Sequence, residues 1–364
     1  MKKILIISPE SWGTCFVSKH HYANELSKLG HEVFFLNPPS DTKLNFTLAN
    51  EPYQKVKVID YKAIRGVNRL SQLFKNGFNK RTINQILKKT GPLDLVISFD
   101  PFRFQNLNQF EAKKTIYFPA DWHNNPMEKE ISQSADAIIS VSSLLADQYK
   151  QWNSQCLSIG HGVSEVFFDT PKTSPIQLEG NNKLKVGYVG NLNYNLLDFE
   201  ALERILIHNT HIDFYFIGPN GKSNLSQKRN DFWDKMELLE HVHLLGSKKY
   251  EELKYYLAQF DVLLLCYKGF DNKIFLSNNH KMLEYLSSGK PIISHYTDEY
   301  SEKEDLLYMI KDEKEDFDHF FNKISSNLDN LETPLKKEIR IAFAKENIYK
   351  NKAVRLLELI DLYE

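Results

Sequence analysis

The sequence predicts an α/β protein built from two doubly wound domains that face a central cleft. Three observations carry this expectation. Short β-rich runs alternate with helical patterns along nearly all of the 364 residues, as in parallel sheets with crossover helices. The chain is longer than a typical single domain. After Phe168 the stretch "DTPKTSPIQLEGNNK" breaks the alternation with prolines, a glycine and turn formers, and reads as a linker.

Taken in order, "KILIIS" is a strand, Phe16 to Leu29 a helix stopped by Gly30, and "EVFFLN" the next strand before the turn "PPSD". The start "MKKILIISPE" has only a short apolar run before Ser8 and Pro9, which suits a first buried strand rather than a signal peptide. Further strands are expected at Val56–Asp60, Leu95–Phe99, Thr115–Phe118, Ala137–Ser140 and Cys156–Ile159, with a helix at Ser143–Gln151 capped by Ser142 or Ser143. The second block places strands at "LKVGYVG", "DFYFIG", "VHLLG", "VLLLC" and "PIIS". Its helices are expected at Asp198–His208, Asp231–Leu239, Tyr250–Gln259 and Lys281–Ser288, and the chain beyond Asp316 reads as helical. The expected domains are 1–168 and 184–345, joined by 169–183, with a last helix over 346–364 packing back on the first domain.

Hydrophobic residues make up 42% of the chain and aromatic residues 13%, enough to fill proper cores. A net charge of −1 argues against a nucleic-acid-binding polyelectrolyte. Local charge is uneven: from Lys55 to Lys89 ten basic residues face one acid, Asp60, and from Asp298 to Glu332 twelve acids face four bases. Such runs usually form solvated faces. The basic one, interleaved with Ile64, Leu70, Leu73, Phe74 and Phe78, also suits an anionic membrane surface. Cys15, Cys156 and Cys266 lie far apart without metal spacing, and no carboxylate cluster reads as a metal site, so no metal is expected and a reducing cytosol is. No apolar run is long enough to span a bilayer, which leaves a cytoplasmic protein, peripheral on the membrane at most.

One segment, "SNNHKMLEYLSSGKPIIS", poses a specific question. Met282, Leu283 and Leu286 share the buried face of a helix, while Lys281, Glu284, Tyr285 and Ser288 cluster on the other. A lysine at a helix start is electrostatically misplaced unless an anion lies between it and the amides. Asn279, His280 and Lys281 would then hold a phosphate, and Glu284 a ribose diol. An exposed Lys281–Glu284 pair explains the same residues about as well.

"HKMLEYLSSGKPIIS" resembles the donor-binding motif of the GT-B glycosyltransferases, closest to family four and its teichuronic-acid and capsule type. "SKHHYANELSKLGHEVFFLNPP", "SADAIISVSSLLADQY" with "IGHGVSEVFF", and "KVGYVGNLNY" with "VHLLGSKKYEELKYYLAQFDVLLL" resemble further segments of that family in the same order. The resemblance implies two Rossmann-like domains and transfer of a sugar from a nucleotide sugar, UDP- or GDP-linked, to a glycan or lipid-linked acceptor in cell-surface polysaccharide synthesis. It also implies retention at the anomeric carbon and no cofactor. The chain departs from the family pattern at Leu276, where a glutamate is common. It also departs at "GNLNYNLLD", which lacks the usual arginine and lysine, at Ala120 in place of a histidine, and at His161 and Ser164.

Within that frame Gly190 and Asn191 let the backbone approach the phosphates, and Gly218 with Pro219 lies near the base, helped by Lys222 or Arg229. Turn geometry alone accounts for Gly218 equally well. On the acceptor side stand Trp12 and Gly13 in the first loop, and His20 and His21 on the helix after it. Asp100 and Asp121 end two strands. In "DWHNN", Trp122 can stack on a sugar while Asp121 and His123 bond hydroxyls. Asp121, His123 and His21 are the expected catalytic groups, and "YKGFDNKIF" suits a loop closing over the donor sugar. Two other readings remain: a nucleotide-sugar epimerase or hydrolase of the same fold, and a degenerate partner that binds glycan without turnover.

Overall fold

The computed structural model describes residues 1–13, 16–50, 55–62, 72–169, 175–220 and 227–361. Cys15, Ile64, Arg65, Arg69, Leu70, Lys222 and the side chains of Leu73 and Arg229 lie outside the described residues, as do 170–174 of the expected linker. The chain divides into two compact units. Unit 1 is Met1–His161 together with Tyr349–Glu364, and unit 2 is Gly162–Ile348.

In chain order unit 1 contains β1 (Lys3–Ile7), α1 (Ser18–Lys28), β2 (Glu32–Leu36), β3 (Asn45–Leu48), β4 (Val56–Asp60) and α2 (Gln72–Thr90). There follow β5 (Leu95–Ser98), β6 (Lys114–Tyr117), α3 (Pro126–Ser134), β7 (Ala137–Ser140), α4 (Ser143–Tyr149) and β8 (Cys156–Ser158). Unit 2 runs through β9 (Leu184–Val189), α5 (Phe199–His208), β10 (Ile212–Ile217), α6 (Gln227–Met236), β11 (Val242–Gly246), α7 (Leu253–Leu257) and β12 (Val262–Leu265). It continues with α8 (Lys281–Ser287), β13 (Ile292–Ser294), β14 (Tyr308–Met309), α9 (Phe317–Ser325), α10 (Leu328–Leu331) and α11 (Pro334–Glu346). The last helix, α12 (Tyr349–Asp361), belongs to unit 1.

The unit 1 sheet has the order β3-β4-β2-β1-β5-β6-β7-β8 and is parallel except for β3, which pairs antiparallel with β4. The unit 2 sheet is β11-β10-β9-β12-β13-β14 and parallel throughout. These are the two doubly wound sheets the alternating pattern predicts. Strands buried on both faces read as continuous apolar runs, and β1, β5, β7, β10 and β12 have that character. Less visible in the sequence were the edge strands β3 and β14 and the helices α2 and α3. α3 is announced locally: the Asn125 side chain accepts from the Met127 amide, Pro126 starts the helix and Glu128 completes a capping box.

In a doubly wound sheet the winding reverses at a switch point, between β1 and β5 in unit 1 and between β9 and β12 in unit 2. In unit 1 that crevice is closed by Arg103. Its guanidinium donates to Asp100 Oδ2 (2.5 Å), the Tyr61 hydroxyl (2.9 Å), the Asn37 carbonyl (3.0 Å) and the Ser8 carbonyl (2.5 Å). One buried cation thus gathers the carboxyl ends of β1, β2, β4 and β5. In unit 2 Arg340, 1% exposed, plays a related part, binding Glu332 through two nitrogens and the Leu306 and Gly289 carbonyls.

Removing Arg103 leaves the Asp100 carboxylate buried without its countercharge. Arg103→Ala is expected to destabilise the protein by about 3–5 kcal/mol, measured by urea unfolding, with Arg103→Lys losing less.

Candidate functional site

The carboxyl end of β9 is where unit 2 gathers polar groups. β9 ends at Val189, whose amide donates to the Tyr285 hydroxyl at 2.7 Å and so ties α8 to the strand. The Gly190 amide continues the ladder to the Ile217 carbonyl at 2.8 Å. Gly218 follows β10 with φ +149°, and a β-carbon there would stand 1.7 Å from the Gly190 carbonyl oxygen. Gly218 is therefore required by the close passage of two chain segments.

Gly190 is required for a different reason. A β-carbon on it would fall 2.7 Å from Lys281 Cε, 2.8 Å from Lys281 Nζ and 2.6 Å from the Tyr188 hydroxyl. The Lys281 side chain thus lies across Gly190, half-buried, and its ammonium makes no hydrogen bond or ion pair among the described residues. The expected role of free helix amides is corrected by the structure. Asn279 Oδ1 accepts from the Lys281 amide at 3.0 Å and the Asn279 carbonyl accepts from Met282, so the chain caps itself. With only seven residues α8 has little dipole to offer, and the positive charge at this place is the ammonium itself.

Glu284 is 8% exposed, so it is not the exposed partner of a surface pair. Burial pushes its carboxyl up to about 7, against the opposing effects of the nearby Lys281 charge and a hydrogen bond from Tyr250. Asn191 is exposed and its Oδ1 accepts from the Asn193 amide, while His280 is exposed at the start of α8. Leu276, in the place of the family glutamate, is 3% exposed and belongs to the apolar core. Sequence reasoning passed over Tyr188 and Tyr250, had Tyr267 only as the start of the "YKGFDNKIF" loop, and set Tyr285 on the outer face of α8; the structure buries Tyr285 completely, against the end of β9. One signal was available for Tyr188: two residues before Gly190 on a strand, it shares that residue's face.

Unit 1 uses several of its expected site residues for its own architecture. His20 is fully buried. Its Nδ1 accepts from the Val17 amide at 3.3 Å, its Nε2 lies 3.2 Å from the Ser11 carbonyl, and it stacks on Phe35. Burial depresses its imidazole to about 4, so it is a neutral clamp rather than an acceptor contact. His21 stacks on Tyr349 of α12 with ring centroids 4.3 Å apart, and burial, then the neighbouring His20, lowers it to about 3. Asp100 accepts from Arg103 and from the Phe102 amide at 2.7 Å, which commits it to the strand ends. Trp122 stacks on Trp152 at 5.8 Å and packs edge-on against Tyr149. Trp12 packs against Phe16, His20 and Phe35, and its amide donates to Asn37. Gly13, with φ +88°, has open space around it. Asp121 and His123 remain exposed after β6, beside a loop held by the fully buried Glu128, which accepts from Tyr117, Tyr149 and the His123 and Asn125 amides.

Residues 183–330 match the family described as Glycosyl transferases group 1. No curated protein sequence matches the chain. Among solved structures, a glycosyltransferase from Rickettsia africae ESF-5 is similar at a TM-score of 0.73 and 15% identity, covering 100% of this chain and 97% of that one. Sucrose-phosphate synthase from Thermosynechococcus elongatus is similar at 0.72 and 14%, covering 100% and 99%. HepE from Anabaena, in complex with UDP and glucose, is similar at 0.70 and 13%, covering 98% and 99%. The chain has the GT-B fold, and its second unit is related to the group 1 glycosyltransferases.

The raised Glu284 carboxyl has a definite sign in stability. The folded state holds this proton more tightly than the unfolded chain, so stability falls as pH rises from the ordinary 4.5 to about 7. The expected loss is about 3 kcal/mol. Glu284→Gln should remove it, read as the difference between wild-type and variant urea stability across pH 4–8.5.

Proposed function

We propose that the chain is a glycosyltransferase that moves a sugar from a UDP- or GDP-sugar to a glycan or lipid-linked acceptor in cell-surface polysaccharide synthesis. The carrying observation is the half-buried Lys281 ammonium, without a hydrogen-bond partner among the described residues, lying over Gly190 beside the unit 2 switch point. In such a transfer the bond from the anomeric carbon to the diphosphate oxygen breaks, and the leaving diphosphate gains negative charge. A fixed ammonium is most useful where that charge appears. Lys281 supplies it without a metal. Glu284, three residues on, accepts from the ribose diol in its ionised form, and Asn191 and Gly190 border the phosphates. On the acceptor side, Asp121 and His123, both exposed, are the groups we assign to receive the acceptor hydroxyl proton as the new bond forms. We propose retention at the anomeric carbon, to be read from the product's anomeric configuration by NMR.

The basic 55–89 run supports a second element of the proposal, contact with an anionic membrane surface. Phe74 is 68% exposed on α2, which also carries Lys80, Arg81, Lys88 and Lys89. Part of this charge is already used: Lys57 pairs with Glu32 and Lys80 with Glu111. No helix among the described residues is long and apolar enough to cross a membrane.

UDP or GDP is expected to raise the melting temperature by several degrees, and Lys281→Ala to abolish the shift while leaving the ligand-free melting temperature near that of wild type. No shift with either nucleotide would remove the basis of the donor assignment. For the membrane, sedimentation with vesicles should rise with anionic lipid content and fall as salt is added. Binding indifferent to lipid charge would exclude this contact.

A further inference from the structure

The unit 2 switch point holds a second feature, independent of the lysine. The Tyr188 hydroxyl on β9 and the Tyr267 hydroxyl just after β12 lie 3.0 Å apart, bridging the two strands between which the winding reverses. Both rings are buried, at 2% and 4% exposure. A phenol carries one hydrogen, so the pair has two donors and uses one of them internally. The second hydrogen has no acceptor among the described residues, which is uncommon for a buried hydroxyl. The neighbouring His295 ring, edge-on at 4.8 Å, does not take it, since its Nε2 is itself buried without a partner. The Tyr188 hydroxyl and Lys281 Nζ both fall within 2.8 Å of the point a Gly190 β-carbon would occupy. A cation and a spare neutral donor therefore converge on one small space at the switch point.

We infer that the Tyr188–Tyr267 pair donates its free hydroxyl hydrogen to a phosphate oxygen of the nucleoside diphosphate held by Lys281. This deepens the donor assignment above and rests on it. It also accounts for a gap: "GNLNYNLLD" offers no arginine or lysine after β9, and the hydroxyl supplies a donor at the end of the same strand. A neutral phenol adds direction without a second charge whose burial would be costly.

The test is isothermal titration of wild type, Tyr188→Phe and Tyr267→Phe with UDP and GDP, and in parallel with uridine and guanosine. Tyr188→Phe, which removes the hydroxyl beside Lys281, is expected to lose about tenfold or more in diphosphate affinity, as for a hydrogen bond to a charged group. Tyr267→Phe, which keeps that hydroxyl but removes the partner that orients it, is expected to lose a smaller factor, and nucleoside affinity is unchanged in both. Two single variants are used so that misfolding of one leaves the other to decide. Diphosphate affinity equal to wild type in folded Tyr188→Phe, or in folded Tyr267→Phe should Tyr188→Phe not fold, overturns the inference and leaves the Lys281 site standing. Equal loss for nucleoside and diphosphate also overturns it, since the pair is then structural. Absence of diphosphate binding in the wild type itself removes both this inference and the donor reading.

Discussion

There is no room for a side chain at Gly190, and much of unit 2's chemistry depends on that. The residue sits where β9 leaves the sheet, with the Gly218 segment close on one side and the Lys281 side chain across the other. A methyl group here would displace the lysine, and one at Gly218 would push into the Gly190 carbonyl. The consequence is a short stretch of bare backbone with a cation and two phenols arranged over it. Tyr285 holds this arrangement from behind, because its hydroxyl accepts from the Val189 amide and keeps α8 against the strand that ends at Gly190.

The two switch points are treated in opposite ways, although both sheets are wound alike. In unit 1 the strand ends at the crevice are tied to one another within the chain: Arg103 satisfies one carboxylate, one phenol and two carbonyls. In unit 2 the corresponding place keeps an ammonium and a hydroxyl hydrogen without hydrogen-bond partners among the described residues. Leaving buried or half-buried donors unsatisfied lowers stability. Donors left open in this way are what the proposed diphosphate would complete, whereas Arg103 spends its donors on the chain itself.

How much was legible in the sequence follows from which interactions are local. The strands of both sheets were visible as apolar runs, and the α5 helix as a face of Ala201, Leu202, Ile205 and Leu206 after the capping Asp198. Lys281 stood out because it contradicts its own helix end. The distant pairings were not visible. Arg103 lies between two phenylalanines and gives no sign that it will reach Ser8, Asn37 and Tyr61. Histidines on the first helix and tryptophans in loops looked available for ligands, yet His20 and Trp122 found partners in the chain first. A polar or aromatic side chain near a strand end advertises chemistry, and only tertiary contacts decide whether the fold itself consumes it.

The course of the chain through unit 1 has its own consequence. That unit is sewn shut by α12, whose Tyr349 stacks on His21 and contacts Ser18 of α1. Unit 2 is therefore an insertion within unit 1, complete in one continuous stretch. During synthesis unit 2 can fold as soon as residue 348 has emerged, while unit 1, begun first, waits for the last helix. Domains usually mature in the order they are made. With unit 1 split around unit 2, removing Tyr349–Glu364 would leave unit 2 whole and unit 1 without α12.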